Sequence, residues 1–133
     1  MPSAQDNPQN TNSPRVASLE RSTGETQISL SVNLDGQGVY EIDTSNGFLD
    51  HMVSQIARHG LFDITLHARG DTNVGWHHLV EDVAICLGRV FHEALGEPRG
   101  IRRMGHAIVP LDETLVRVAV DWSGRGYASV ETT

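Results

Sequence analysis

The sequence predicts an α+β fold, and three observations carry the prediction. Runs in which apolar and polar residues alternate, the period of a half-buried strand, occupy residues 25–43, 62–68, 106–112 and 114–122. Two segments between them, beginning near Gly47 and near His77, repeat apolar residues at helical spacing. A gapless internal similarity also joins SVNLDGQGVYEIDT (31–44) to AVDWSGRGYASVET (119–132), with a valine, two glycines and a threonine identical.

Taken in order, residues 25–43 read as a hairpin, two strands joined by the glycine-rich turn Asp35-Gly36-Gln37-Gly38. Ser45 or Asn46 can cap the first helix, whose apolar stripe is Leu49, Met52, Val53 and Ile56 and whose end is marked by Gly60. FDITLHA is the next strand. The second helix places Val80, Val83, Ala84, Leu87, Phe91, Ala94 and Leu95 on one face, and Gly96 with Pro98 stops it. Two strands and the turn Ser123–Gly126 follow. Trp76 and Trp122 read as packing residues.

Composition removes several function classes. With 133 residues, 38% hydrophobic and 20% charged, the chain is that of an ordinary globular domain or a piece of one. A net charge of −7 argues against a nucleic-acid surface, and the one basic cluster, Arg99, Arg102 and Arg103, suits a small anion such as phosphate better than a polyanion. No run reaches the roughly 18–20 apolar residues of a membrane span. Cys86 is the single cysteine and falls in a helical apolar pattern, so a core position and a reducing, cytoplasmic setting are expected. The first residues lack an apolar segment and read as a polar disordered tail over 1–17.

All seven histidines lie between 51 and 106. In HHLVED, His77 and Glu81 are one turn apart and share a helix face, whereas His78 is rotated by about 100° and diverges from its neighbour. On the first helix His51, Gln55 and His59 form a polar stripe at i, i+4, i+8. A lone His-His pair at a helix start is more often a solvated cap; a second histidine-striped helix tips the balance towards a metal site. Imidazole with carboxylate suits Mn²⁺, Fe²⁺ or Zn²⁺ without a thiolate to favour zinc, and the absence of HExxH removes the zinc-peptidase reading. Glu25 is a candidate proton-transfer carboxylate, and Arg103 and Arg125 are candidate phosphate ligands. His67, His92 and His106 read as structural or surface residues.

RSTGET, GFLDHMVSQIARHG, FDITLHARGD, HHLVEDVAICLG, EALGEPRGIRRMGHAIVPLDETL and VDWSGR stand in the order found in imidazoleglycerol-phosphate dehydratases. The chain resembles the N-terminal part of that family from residue 20 to about 131. The resemblance implies two similar half-domains of the ribosomal protein S5 domain 2-like kind. The first would be complete over 18–98, and 99–133 would hold only the opening strands of a truncated second. It further implies dehydration of imidazoleglycerol phosphate to imidazole-acetol phosphate in histidine biosynthesis, in the cytoplasm, by a 24-subunit assembly with di-manganese sites at subunit interfaces. Two Mn²⁺ ions would hold the substrate ring as an imidazolate. By position, His51, His77, His78 and Glu81 match metal ligands that also contact substrate, and Glu25 matches the proton-moving glutamate. Gln55 and His59, with His51, match the helix lining the pocket, and Arg103 and Arg125 match the phosphate grip. Three departures stand out: Gly75 where an Asp is usual, Leu79 where a Thr is usual, and SGRG for SGRP. The family's second ligand set has no counterpart in this sequence, which gives a competing reading as a non-catalytic metal-binding or assembly fragment.

Overall fold

Along residues 13–132, the part of the chain described by this computed structural model, the elements are β1 (Val16–Ser22), β2 (Thr26–Asn33), β3 (Tyr40–Asp43), α1 (Gly47–Gly60), β4 (Asp63–Gly70), α2 (His77–Leu95), β5 (Met104–Leu111) and β6 (Thr114–Asp121). The fold is α+β, as expected. Two units divide the chain, Met1–Gly96 and Glu97–Thr133. The tail expected over 1–17 lies outside the described residues for its first twelve positions, and Val16 and Ala17 open β1.

In the first unit the strands form one sheet in the order β1-β2-β4-β3, antiparallel except for the parallel β3–β4 pair. Alternation in β2 and β4 sends Ile28, Leu30, Val32, Ile64, Leu66 and Ala68 to one face, where all are buried under the two helices. The opposite face carries Gln27, Ser29, Thr65, His67 and Arg69.

This order corrects the hairpin expected over 25–43. β2 and β3 do not pair; β4 inserts between them and pairs with both. The reason lies at Asp63, the first residue of β4. Its Oδ1 accepts hydrogen bonds from the backbone N–H of Gln37 (2.8 Å) and Val39 (2.9 Å), so the glycine-rich segment wraps around the head of β4 instead of folding β3 back on β2. A Cβ on Gly36 would lie 2.5 Å from Asp63 Cγ, so only glycine lets the backbone come this close.

Of the two caps the sequence offers helix α1, Asn46 is the one used: its Oδ1 accepts from the N–H groups of Phe48 and Leu49, each at 3.1 Å. Its end differs by one residue, since Leu61 (φ 57°), not Gly60, takes the left-handed position. Helix α2 ends at Gly96 as expected. Both helices are rotated from the faces read in sequence. On α1, Val53 and Ala57 are buried while Met52 and Ile56 are 47% and 45% exposed. On α2 the buried line is Leu79, Val83, Cys86, Val90 and Ala94, and Val80 is 40% exposed. Apolar residues flank both lines, so the stripe is broad and its centre is chosen by what the sheet offers. Leu79, one of the departures from the resembled family, is core, and so is Cys86, whose thiol burial pushes up in pKa.

What selects the rotation of α2 is a polar residue. Asp82 is 8% exposed within the apolar face. It accepts from the Thr26 hydroxyl (2.5 Å) and from Arg21 Nη2 (2.9 Å), which ties the helix to β2 and β1. The Thr26 hydroxyl, then Arg21, hold its carboxyl below the ordinary range.

In the second unit β5 and β6 form an antiparallel ribbon joined through Asp112 and Glu113, with Leu111 opposite Thr114. Every residue of both strands is exposed, including Ile108, Val109, Leu115, Val116, Val118 and Val120. Residues 123–132 form no strand, so the second copy of the sequence similarity has no counterpart of β3. That strand exists in the first unit through pairing with β4 alone, and the ribbon provides no such partner among the described residues.

Two outcomes are expected. Asp82→Ala strands the Thr26 hydroxyl and the Arg21 guanidinium, and should lower stability by about 2–3 kcal/mol in denaturant titration. Because the Asp82 pKa is lowered by folding, its contribution is present above the ordinary carboxylate value of 3.8 and disappears as pH falls through the folded value, so the deficit of the variant should shrink in acid. Native-state hydrogen exchange should protect β2 and β4 amides at least ~100-fold more than those of the β5–β6 ribbon, since a bare two-stranded ribbon is marginal in water. Equal protection would contradict the burial pattern.

Candidate functional site

The antiparallel β2–β4 register pairs Thr26 with Gly70, which puts the residue before β2, Glu25, opposite the residue after β4, Asp71. The Asp71 N–H donates to the Glu25 carbonyl at 3.0 Å. A turn at Thr23, whose hydroxyl accepts from the N–H groups of Glu25 (3.1 Å) and Thr26 (2.9 Å), fixes the Glu25 backbone. Helix α2 begins over this end of the sheet and supplies His78.

His78 Nδ1 lies 3.0 and 3.2 Å from the two carboxylate oxygens of Asp71, and 3.7 Å from Glu25 Oε2. Among the described residues these three form the cluster whose metal-competent atoms all fall within 4.8 Å of one another. The hydrogen bond from Nδ1–H to Asp71 first, then the charge of Glu25, raises the His78 pKa above its ordinary 6.5. A histidine whose Nδ1 donates to a carboxylate keeps Nε2 as its free lone pair, which is how imidazole is prepared as a metal ligand.

The neighbouring imidazole turns elsewhere, as its position on the helix requires. His77 Nε2 is 3.3 Å from Glu81 Oε2, the two rings are 5.8 Å apart between centroids, and their planes differ by 68°. His77 and Glu81 are exposed and do not join the Glu25–Asp71–His78 cluster, and neither does His51. On α1, His59 Nε2 meets Gln55 Oε1 at 3.1 Å, so that stripe is a pair plus His51 on an exposed helix surface. Trp76, expected to pack, caps α2 without a side-chain hydrogen bond and is 42% exposed.

In the second unit Arg103 precedes β5 and Asp121 ends β6. Arg103 Nε and Nη2 both donate to the Asp121 carboxylate, at 2.5 and 2.9 Å. Arg125 follows in the turn, where its N–H donates to Ser123 Oγ at 3.2 Å, and its charge adds to that of Arg103 in lowering the Asp121 pKa.

Asp71 and Asp121 are the two site residues absent from the sequence reading. Asp71 becomes visible only with the β2–β4 pairing, which the expected hairpin hides.

The donor types suit a divalent metal: His78 offers Nε2 while Asp71 and Glu25 sit on the Nδ1 side of its ring, and His77 with Glu81 gives a second imidazole–carboxylate pair one helix position away. Asp71→Asn should drop the His78 pKa towards 6.5 in an NMR titration of the ring, and Glu25→Gln should lower it less. An unchanged His78 in Asp71→Asn would show that this carboxylate does not hold its proton.

Comparison with known proteins adds an independent line. A protein-family model described as imidazoleglycerol-phosphate dehydratase matches residues 44–133. The imidazoleglycerol-phosphate dehydratase of Chromohalobacter salexigens is 56% identical over 117 residues, covering 88% of this chain and 59% of the relative. That of Roseiflexus sp. is 57% identical over 119 residues, covering 90% and 60%. Among solved structures, the enzyme from Staphylococcus aureus superposes with a TM-score of 0.71 at 33% identity, covering 88% of this chain and 66% of that one. The Pyrococcus furiosus enzyme, solved in complex with (S)-C348, gives 0.72 at 36%, covering 86% and 60%. The chain thus spans about 60% of the length of the relatives it matches.

Proposed function

The chain belongs to the imidazoleglycerol-phosphate dehydratase family, and from that membership together with the site above we propose that it contributes the first ligand set and the phosphate grip of a hydro-lyase. The reaction is dehydration of imidazoleglycerol phosphate to imidazole-acetol phosphate, a step of histidine biosynthesis in the cytoplasm. The observation that carries the reading is the meeting of Glu25, Asp71 and His78 at one end of the sheet, inside a sequence more than half identical to the named dehydratases over most of its length.

The elimination removes a hydroxyl and a carbon-bound hydrogen that is not acidic beside a simple alcohol, so the imidazole ring has to be activated. His51, His77, His78 and Glu81, with donors from further segments or neighbouring subunits, would hold Mn²⁺, which would supply Lewis-acid polarisation of that ring. The rest is done by the chain's own groups. Asp71 holds the Nδ1 proton of His78 and so fixes which nitrogen is offered. Glu25, exposed and 3.7 Å from the same ring, is the carboxylate able to take the proton in elimination and return it during ketonisation. Gln55 and His59, beside His51 on α1, line the substrate pocket. Arg103 and Arg125 bind the phosphate, far from the bonds that change, and orient the substrate. Self-association, into 24 subunits as the family resemblance implies, brings the donors together at subunit interfaces.

The test is product formation from imidazoleglycerol phosphate with added Mn²⁺, alongside Mn²⁺ binding measured by electron paramagnetic resonance. Glu25→Gln should lower turnover by about 100-fold or more while leaving Mn²⁺ bound. His78→Ala should lose both. A protein that binds Mn²⁺ and substrate but forms no product would overturn the dehydratase reading in favour of a binding or assembly role.

A further inference from the structure

Arg103 has more hydrogen-bonding capacity than its ion pair uses, and the geometry of the surplus is specific. A guanidinium carries five N–H groups in a rigid plane. Two of them, on Nε and Nη2, point along one edge and are taken by the two oxygens of Asp121. The remaining three are the second N–H of Nη2 and both of Nη1, which has no protein partner among the described residues. Two of these lie parallel on the end edge of the plane, the fork that fits two oxygens of a phosphate. Asp121 itself is anchored by the ribbon. It pairs with Met104 across the strands, and the Trp122 N–H donates to the Arg103 carbonyl at 3.0 Å, so both partners are fixed at their backbones.

We propose that Asp121 is a positioning residue for the phosphate grip: it occupies the side edge of Arg103 and thereby presents the end edge to the phosphate of the substrate. The inference rests on the phosphate role proposed for Arg103 and extends it to a residue that never touches the ligand. An exposed arginine without such a partner samples many rotamers, and fixing one would cost the ligand binding free energy. Asp121 has already fixed it.

The proposal has a sign that separates it from simple electrostatics. Asp121 is an anion beside two cations, so removing its charge should strengthen phosphate binding if charge were all that mattered. Positioning requires the reverse. The full chain is titrated with inorganic phosphate and with imidazoleglycerol phosphate, and the side-chain resonances of Arg103 are followed by NMR. In the wild type, phosphate should shift the Nη signals while the Nε–H stays bonded to Asp121. Asp121→Ala should weaken binding of both ligands by about tenfold, and Asp121→Asn, which still offers one carbonyl acceptor, by less. Arg103→Ala should lose binding, and unchanged ribbon amide shifts in each variant exclude unfolding as the cause.

If Asp121→Ala binds phosphate as well or more tightly while Arg103→Ala loses it, positioning is overturned and the phosphate role of Arg103 stands. Displacement of Asp121 from Nε by phosphate in the wild type overturns it as well. If Arg103→Ala changes nothing, the phosphate role itself fails, and the inference with it.

Discussion

The candidate site depends on a carboxylate that takes no part in it. Asp82 sits in the buried face of α2, where an unpaired charge would cost several kcal/mol, and it is accepted there because Thr26 and Arg21 both donate to it. Those bonds fix how far α2 is turned about its axis and how far it has slid along the sheet. His78 is one helical turn before Asp82, and Glu25 is the residue before Thr26. The same contact therefore sets the distance between the imidazole and the carboxylate that approach each other above it. An apolar residue of similar volume at position 82 could preserve burial, but it would leave α2 free to settle on either of its two apolar flanks. The polar contact removes that choice.

Much of the local structure was legible in the sequence. Asn46 as a cap, Gly96 as a stop, the strands over 62–68 and 106–122, and Cys86 as core follow from backbone chemistry and periodicity that act within a few residues. The divergence of His77 and His78 was legible for the same reason, since adjacent helix positions are 100° apart whatever surrounds them. Pairing was not. A period of two says that β2 and β3 are strands and is silent on their partners, and the glycine-rich segment between them suggested the nearest one. The real partner was decided by Asp63, twenty-six residues from Gln37. This single error hid Asp71, because its meeting with Glu25 is a consequence of β2–β4 register. The helix faces were legible in part. Val53, Val83 and Ala94 are buried as expected, and Leu49, Leu87 and Phe91 pack on the core. Met52, Ile56 and Val80 are displaced from it, because apolar residues lie on both sides of the buried lines and only the sheet chooses among them.

The two units carry different chemistry. The first holds imidazoles and carboxylates on a sheet with a formed core, where position is set by burial. The second holds guanidinium groups on a ribbon with no core of its own, where position is set by backbone pairing and by an ion pair.

One consequence concerns how such a chain can vary. Gly75 has φ +124°, a backbone state that residues bearing a Cβ rarely enter, although nothing lies within 4 Å of where that Cβ would be. The obstacle to the aspartate usual at this position in the resembled family is the path of the loop, at a strain of about 1–3 kcal/mol, not lack of room. Asp71, meanwhile, already engages the Nδ1 of His78 from the other end of that loop. An aspartate arriving at 75 therefore meets a strained backbone rather than a steric clash, so the segment between Asp71 and His77 must be rerouted before that position can carry one.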